Sequence, residues 1–324
     1  PTLVQKMVSR ILGIEMHRTE VEVPRLGGAF GGKEEQATVW ACLAALASRK
    51  SGRPVKLVLN RRDDLKMTGK RHPYSSDYKL GLSRDGKLLA YEATFYQNAG
   101  AHADLSSAVL ERSMFHAAGS YFIPHLKATG YSCRTNLPPN TAFRGFGGPQ
   151  AMFVLEAAIF RAAEELGIHP SVIQEKNLLK DGDSFHYGME VKGCTAGRCF
   201  SEAAEEYGLE GWIEKVEAFN RDHREKKKGL AVMPVCFGIS FTNTTLNQAG
   251  ALVHVYGDGS VGISTGAVEM GQGVKRKILQ TAARVLSLEE EEAAGGMIRV
   301  EYTNTTRVAN TSPTAASTGS DLNG

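Results

Sequence analysis

The sequence lacks any apolar stretch long enough to span a bilayer. Its longest apolar stretches, residues 39–47 and 231–239, are far shorter than the roughly 18 residues that a transmembrane helix needs. The sequence also lacks an excess of charge of one sign. It contains 38 Lys and Arg residues and 35 Asp and Glu residues, which gives a formal net charge of +3. Such a near balance provides no basic field for nucleic acid or an anionic membrane surface. The composition therefore predicts a protein that binds neither nucleic acid nor membranes.

Cysteine is scarce and shows no pairing pattern. The five cysteines are an odd number, and only Cys194 and Cys199 lie close together in the sequence. These two have no second pair and no histidine at ligand spacing, which argues against a structural zinc site. A chain of 324 residues can bury a sufficient core without disulfides. The cysteine pattern thus predicts free thiols and a reducing, cytoplasmic location.

Helix and strand patterns are interleaved along the chain and predict an α/β (α+β) fold. Residues 77–98 have the pattern of a hairpin, with a turn at residues 83–86. A charged stretch of short helices separates two parts of the chain. We expect a first domain at residues 1–180, a helical linker at 181–228 and the N-terminal part of a second domain at 229–324.

The other local patterns are shorter. They predict helices at residues 1–14, 35–49, 150–166 and 272–286 and strands at residues 20–23, 55–59, 229–241, 249–256 and 260–264. An acidic run at residues 289–292 is expected to be a solvated loop. Residues 303–324 are polar and rich in Asn, Thr and Ser, and they predict no core element.

Glycine is abundant, and five loops rich in glycine or small polar residues could carry chemistry. Residues 27–34 nearly match a phosphate-binding loop, but Glu34 stands where a magnesium-bound nucleotide needs a Ser or Thr hydroxyl. Nucleotide binding is therefore the minor alternative for this loop, and a tight turn is another. Taken singly, each remaining loop is typical of an ordinary turn. These loops span residues 140–150, 240–242, 269–273 and 310–318.

Taken together and in this order, the loops resemble the molybdenum-binding subunit of the xanthine dehydrogenase and aldehyde oxidase family of molybdenum hydroxylases. The matching segments are residues 28–34, 110–112, 141–150, 237–242, 246–250, 269–273 and 311–317. The resemblance implies two molybdopterin-binding domains, truncated at both ends, of an oxidoreductase that hydroxylates a purine such as hypoxanthine or xanthine with oxygen from water. It also implies that the molybdopterin, not side chains, ligates the molybdenum, so that the protein contributes positioning and hydrogen bonds.

The resemblance also assigns roles to individual residues. Glu34 and Arg112 are expected to be catalytic, with Arg112 stabilising negative charge that develops on the purine and Glu34 hydrogen-bonding the opposite rim. The residues expected to bind the substrate, with two phenylalanine rings clamping it, are Phe146, Phe241, Thr242, Leu105 and Leu246. Those expected near the molybdenum are Phe30, Arg144 and Ala316, and those expected to bind the cofactor are Gly31, Gly271, Gln272 and Ala315.

Glu34 and Arg112 together favour a purine substrate, because aldehyde oxidases of the family generally carry less polar residues at these places. The open alternatives are an aldehyde oxidase-type hydroxylase, an ion pair of these two residues that only holds loops together, and a fragment without catalysis of its own. The family's catalytic glutamate would follow Gly324, and a glutamine that touches a molybdenum ligand would precede Pro1. We therefore expect the fragment to be inactive alone.

Two further features bear on the cofactors. After Gly273, family members usually have a His-Thr or Asn-Thr pair, whereas this chain has Val-Lys-Arg at residues 274–276. Cysteine sets for iron–sulfur clusters and a flavin fingerprint are both missing from the sequence. The resemblance therefore implies that iron–sulfur clusters and FAD lie on partner subunits or missing domains, and that the assembled enzyme is a homo-oligomer.

Overall fold

Helices and strands alternate along the chain in the computed structural model, which describes all residues from Pro1 to Gly324. The helices are α1 (Thr2–Leu12), α2 (Ala37–Ser51), α3 (Arg61–Met67), α4 (Ser106–Phe115), α5 (Gly148–Leu166), α6 (Pro170–Lys176), α7 (Ala196–Glu206), α8 (Leu209–Asp222), α9 (Val274–Val285), α10 (Glu290–Glu292) and α11 (Gly319–Asn323). The strands are β1 (Glu22–Val23), β2 (Tyr74–Leu82), β3 (Leu88–Gly100), β4 (His125–Arg134), β5 (Ala251–Val255), β6 (Val261–Thr265), β7 (Ile298–Val300) and β8 (Thr303–Asn304). This mixture confirms the predicted α/β (α+β) class.

The first sheet contains β2, β3 and β4 in that order. Strands β2 and β3 form the antiparallel hairpin that the sequence predicts, and β3 pairs with β4 in parallel. Tyr91, Ala93 and Phe95 of β3 are buried, because alternate side chains of a strand point to the same face. They pack in one core with Leu155 and Ile159 of α5. Helix α5 thus covers one face of this sheet. It ends at Leu166, as predicted, and Gly167 follows in the left-handed conformation.

The second sheet contains β5, β6 and β7, with β6 in the middle. Strand β6 is antiparallel to β5 and parallel to β7. Val261 and Ile263 of β6 are buried together with Val274 and Ile278 of α9, so this helix covers the sheet with its apolar face. A separate pair, β1 and β8, joins the early part of the chain to its late part.

Two predicted strands are wrong. Residues 55–59 and 229–241 do not pair with any other strand. An alternating pattern describes side chains, whereas a strand also needs a neighbour whose backbone groups accept and donate hydrogen bonds. Without that neighbour several apolar side chains of these segments remain exposed, such as Val58 at 75% and Val235 at 62%.

Two expectations for the end of the chain are also wrong. Thr303 and Asn304 are buried although residues 303–324 lack an apolar pattern. Hydrogen bonds make this burial possible, because the Thr303 hydroxyl donates to Ala267 O at 2.5 Å and Asn304 Nδ2 donates to the Glu22 carboxylate at 2.8 Å. The acidic run is a helical turn, α10, rather than a loop, although its glutamates are exposed as expected.

None of the helices is long and apolar enough to cross a membrane. All five cysteines are free.

We expect Leu155→Ala to lower the free energy of unfolding by about 2–5 kcal/mol, because its removal leaves a cavity in a fully buried part of the first core. Phe153→Ala is the control, since Phe153 lies on the same helix but is 72% exposed. Its replacement should change the free energy by less than about 0.5 kcal/mol. Urea unfolding followed by circular dichroism measures both, and equal losses would contradict the observed packing of α5.

Candidate active site

The loops singled out in the sequence meet at one place in the fold. Leu26 N, at the start of the first glycine-rich loop, donates to Glu269 O at 2.9 Å. Ser240 N donates to Ala316 O, also at 2.9 Å. These backbone bonds join segments that lie far apart in the sequence, and the side chains on them therefore share one region.

The two glycine-rich loops touch through their backbones. A Cβ added at Gly31 would lie 3.0 Å from the carbonyl carbon of Ala142 and 3.1 Å from Phe143 Cα. A Cβ added at Gly147 would lie 2.1 Å from Val109 O on α4. Glycine is needed at both positions, because a side chain at Gly31 would separate the two loops and a side chain at Gly147 would push the second loop away from α4.

Backbone strain is concentrated on these loops. Every non-glycine residue with a positive φ except Ser287 lies on them or directly before α4: Phe30, Asp104, Phe146, Ser240, Asn310, Ala316 and Ser317. Such conformations cost about 1–3 kcal/mol each and cluster at functional sites, where the surrounding structure enforces them. The strain therefore marks the same region that the loop contacts define.

Arg112 is buried on α4 and holds the loop that contains Gly238 and Ser240. Its Nη1 donates to Gly238 O at 2.6 Å, and its Nη2 donates to Ser240 O. The guanidinium carbon lies 5.3 Å from the centroid of the Phe237 ring, a cation–π distance. Burial lowers the pKa of Arg112, and the neighbouring Glu111 opposes this effect.

The alternative of an ion pair between Glu34 and Arg112 is wrong, because none of the ion pairs in the structure includes either residue. The carboxylate of Glu34 is partly buried and has no hydrogen-bond partner. Burial raises its pKa to about 7, with further contributions from the carboxylates of Glu35 and Asp104. Near neutral pH, Glu34 can therefore either donate or accept a proton in a hydrogen bond.

The segment before α9 is organised by Glu269. Its Oε1 accepts hydrogen bonds from Gly271 N at 2.8 Å and Gly273 N at 3.1 Å, and its Oε2 accepts one from Lys275 N at 3.2 Å. Burial opposes ionisation of Glu269, but these backbone N–H groups outweigh burial and lower the pKa of the carboxyl. The Glu269 side chain thus caps the N-terminus of α9.

Gln272 folds back onto the same turn. Its Nε2 donates to Val268 O at 2.9 Å, and its Oε1 accepts from Met270 N at 2.6 Å. Gly271 is exposed at a φ of 96°. Of the two residues expected to bind the cofactor here, Gly271 is exposed but its N–H already donates to Glu269, and the Gln272 amide is likewise engaged within the turn.

The residues expected to bind the substrate lie around α4 and the loop that follows Ser240. Phe241 is held by Asn247, whose Oδ1 accepts from Phe241 N at 2.9 Å and whose Nδ2 donates to Phe241 O at 3.1 Å. The Thr242 hydroxyl donates to the Glu111 carboxylate on α4 at 2.5 Å. The partly buried residues of this set are Leu105, Phe146, Phe241, Thr242 and Leu246. Phe146 and Phe241 form no aromatic pair with each other, and their clamping of a substrate stays a prediction.

The residues expected near the metal lie on the loop surfaces. Phe30 is 64% exposed, and Arg144 is exposed, with its backbone O accepting from Arg71 Nη2 at 2.6 Å. Ala315 and Ala316 are partly buried. Arg71 also lies over the Phe143 ring, 4.7 Å from its centroid, and was not singled out by any pattern in the sequence.

Sequence reasoning also missed Asp104, which joins several of these loops through its carboxylate. No glycine-rich motif surrounds it. The available signal was an acidic residue just before a helix, where the N-terminal N–H groups and the helix dipole favour a carboxylate.

The site has features that a molybdopterin requires of the protein. No cluster of His, Cys, Asp and Glu side chains is placed to ligate a metal ion, and a molybdopterin carries its own metal ligands. At Gly31 the two glycine-rich loops approach each other closely through their backbones, with no side chain between them. The buried Ser312 hydroxyl has no hydrogen-bond partner in the protein, so a ligand group could satisfy it. The residues therefore fit a cofactor held by backbone and hydroxyl groups.

We expect Glu34 to contribute a decrease in stability as the pH rises through the range between 4.5, the ordinary pKa of a glutamate, and about 7, the pKa of Glu34 in the fold. In this range the folded state holds a proton on Glu34 that the unfolded state has released, so rising pH favours unfolding. Urea unfolding at several pH values measures the slope. Buried histidines such as His72, whose pKa is lowered, contribute a slope of the opposite sign. The test is therefore the difference between the two proteins: with rising pH, Glu34→Gln should lose less stability, or gain more, than the unsubstituted protein. An unchanged slope in this variant would contradict the raised pKa.

Comparison with known proteins agrees with the geometry. Residues 1–178 and residues 202–324 each match a molybdopterin cofactor-binding domain family. Xanthine dehydrogenase/oxidase of Mus musculus is 43% identical over 320 residues, which cover 99% of this chain and 24% of that protein. The chain thus spans about a quarter of the length of this relative.

Solved structures show the same fold. Quinoline 2-oxidoreductase from Pseudomonas putida 86 matches with a TM-score of 0.85 and 25% identity, over 99% of this chain and 41% of that one. Aldehyde oxidoreductase from Desulfovibrio gigas matches with a TM-score of 0.77 and 24% identity, over 96% of this chain and 33% of that one. The chain belongs to the family of molybdopterin cofactor-binding domains and contains two of them.

Proposed function

We propose that this chain forms part of a molybdenum hydroxylase that oxidises a purine, such as hypoxanthine or xanthine, with oxygen from water. The observation that carries the proposal is a partly buried carboxyl and a buried guanidinium that are not paired with each other. Glu34 and Arg112 lie on segments joined by the hydrogen bond between Gln36 and Asp104. The similarity to a xanthine dehydrogenase supports the same substrate class.

Arg112 is suited to stabilise negative charge on a bound heterocycle. Two of its nitrogen atoms donate to the carbonyls of Gly238 and Ser240, which fixes the plane of the guanidinium. Its further N–H donors are not used by the protein. Because no carboxylate pairs with it, its charge remains available to the substrate. One fixed donor of this kind contributes roughly 2.7–4 kcal/mol to transition-state stabilisation.

Glu34 is suited to form a hydrogen bond with the rim of a purine opposite to the rim that Arg112 faces. Purine rims present both N–H donors and nitrogen or carbonyl acceptors, and a carboxyl with a pKa of about 7 can pair with either. The absence of a protein partner for this carboxyl leaves the hydrogen bond to be made by the substrate. In the proposed complex, Glu34 holds the substrate and exchanges a proton at its own carboxyl oxygen.

The other site residues are proposed to position the reactants. A bound molybdopterin centre supplies the oxygen-transfer chemistry and takes up the electrons of the oxidation. We assign substrate contacts to Phe146, Phe241, Thr242, Leu105 and Leu246. We assign the surroundings of the metal to Phe30, Arg144 and Ala316, and those of the pterin to Gly31, Gly271, Gln272 and Ala315. The strained conformations on these loops support the assignment.

We also propose a domain organisation, a placement of the other redox centres and a cellular location for the enzyme. We place the first molybdopterin-binding domain at residues 1–180, the linker at 181–228 and part of the second domain at 229–324. Iron–sulfur and flavin centres would belong to other domains or subunits and would carry electrons away, and the assembled enzyme would be a homo-oligomer. Free thiols at all five cysteines favour a cytoplasmic location.

We expect the full-length enzyme that contains this chain to oxidise xanthine faster than benzaldehyde. Arg112→Met should lower kcat/KM for xanthine by about 10²–10³-fold, because the developing negative charge loses its fixed donor. Steady-state assays with both substrates measure the effect. Arg84→Met is the matched control, since Arg84 lies in the exposed hairpin turn, and it should leave both activities unchanged.

Benzaldehyde turnover by Arg112→Met separates charge stabilisation from loop support. A selective loss with xanthine supports the proposal, whereas an equal loss with both substrates shows that Arg112 serves only to hold the loop of Gly238 and Ser240. Faster aldehyde turnover that is insensitive to Arg112→Met would refute the purine assignment.

A further inference from the structure

Asp104 connects three segments of the candidate site through one carboxylate. Its Oδ2 accepts from Gln36 Nε2 at 2.7 Å. Its Oδ1 accepts from the Thr141 hydroxyl at 2.6 Å and from Leu105 N at 2.7 Å. Gln36 follows the first glycine-rich loop, Thr141 lies in the second, and Leu105 leads into α4. One side chain therefore fixes the relative positions of all three.

The connections of Asp104 are rigid. Thr141 is fully buried. The orientation of the Gln36 amide is fixed from both ends, because its Oε1 also accepts from Gly69 N at 2.8 Å. Asp104 itself has a φ of 43°, a left-handed conformation that is uncommon outside glycine and is held here by its hydrogen bonds. A partly buried network whose members satisfy one another in this way favours a single arrangement of the elements it joins.

We propose that Asp104 is a positioning residue that sets the spacing between Glu34 and Arg112 across the substrate. It acts on Glu34 through Gln36, which lies just after Glu34 in the chain, and on Arg112 through α4. This role rests on the proposed function of the site. Asp104 itself contacts neither substrate nor cofactor in the proposal.

Asp104 also affects Glu34 through its charge. The charged or titratable groups that face these two residues are Glu35, on the same loop as Glu34, and His72. His72 is buried, and its Nε2 forms a hydrogen bond of 2.8 Å with the Ser106 hydroxyl. Burial lowers the pKa of His72 to about 4, against the opposing effect of Asp104, so His72 is neutral near pH 7 and does not balance the charge of Asp104. Removing that charge lowers the pKa of Glu34.

The decisive variants exchange donor and acceptor between two positions. Asp104→Asn keeps the shape of the side chain but sets an amide N–H₂ against a donor in either orientation, facing Gln36 Nε2 in one and Leu105 N–H in the other. Gln36 cannot turn to accept from the new amide without losing Gly69 N. The double variant Asp104→Asn with Gln36→Glu restores complementarity. The new carboxylate at position 36 accepts from the new amide at position 104 and from Gly69 N–H. Asp222→Asn is the control, since Asp222 is exposed at the end of α8.

In the full-length enzyme, Asp104→Asn should lower kcat/KM for xanthine by about 10–100-fold, since misplacement by about 1 Å costs up to this much. In the pH profile of kcat/KM, the limb that reports Glu34 is the one that Glu34→Gln abolishes. In Asp104→Asn this limb should move to lower pH. The double variant should recover most of kcat/KM, and Asp222→Asn should match the unsubstituted enzyme. A merely structural defect would lower the melting temperature and would not shift the pH profile.

Several results would overturn the proposal. If the unsubstituted enzyme oxidises xanthine but Asp104→Asn leaves kcat/KM unchanged, with or without a shift of the pH profile, the positioning role is wrong and the proposed function stands. If the unsubstituted enzyme does not oxidise xanthine, both fail. Should Asp104→Asn not fold, the double variant carries the test, and a loss of more than about tenfold in the folded double variant overturns the role.

Discussion

The buried guanidinium of Arg112 determines how the two parts of the chain face each other at the site. A buried charge needs hydrogen-bond partners, and Arg112 finds them in the carbonyls of Gly238 and Ser240 rather than in a carboxylate. Ser240 N in turn bonds to Ala316 O. Helix α4, the loop around Ser240 and the loop around Ala316 are therefore one connected unit, in which Arg112 makes two of the hydrogen bonds that join the loop to α4.

The site is supported by two conventional cores and is itself strained. The first core joins α5 to β3, and the second joins α9 to β6. Neither core contains Glu34, Arg112 or the strained loop residues. Residues in unfavourable backbone conformations persist only when the surrounding structure enforces them. Here the sheets and their covering helices provide the stability that offsets the strain of the loops. The loops between them thereby hold their backbone groups in a fixed geometry.

Local patterns allowed much of the fold to be predicted. Helices α1, α2, α5 and α9 and the β2–β3 hairpin follow from periodicity and turn residues, which depend on neighbours in sequence. Residues 55–59 and 229–241 have the same local pattern but lack a pairing strand, and pairing depends on distant residues. The buried segment at Thr303 and Asn304 was missed for the complementary reason, because its burial depends on partners elsewhere in the chain.

The candidate site, like the fold, could be predicted from the sequence only in part. The ordered set of loops identified the region, and the loop contacts confirm that those segments meet. The sequence could not show that Arg112 bonds to carbonyls, that Gln272 folds onto its own turn or that Asp104 joins three segments. A side chain's choice among several possible partners is decided by distances of a few ångströms, and such distances exist only once the chain is folded.

The short pair of β1 and β8 has a consequence for biosynthesis. Asn304 bonds to Glu22, 282 positions earlier in the chain. A ribosome adding about 5–20 residues per second needs roughly 15–60 s to span that separation. During this time the early strand has no partner and the closing of so long a loop is entropically costly. Nascent chains must therefore emerge with their first segments undocked, and a chaperone has a long interval in which to bind them.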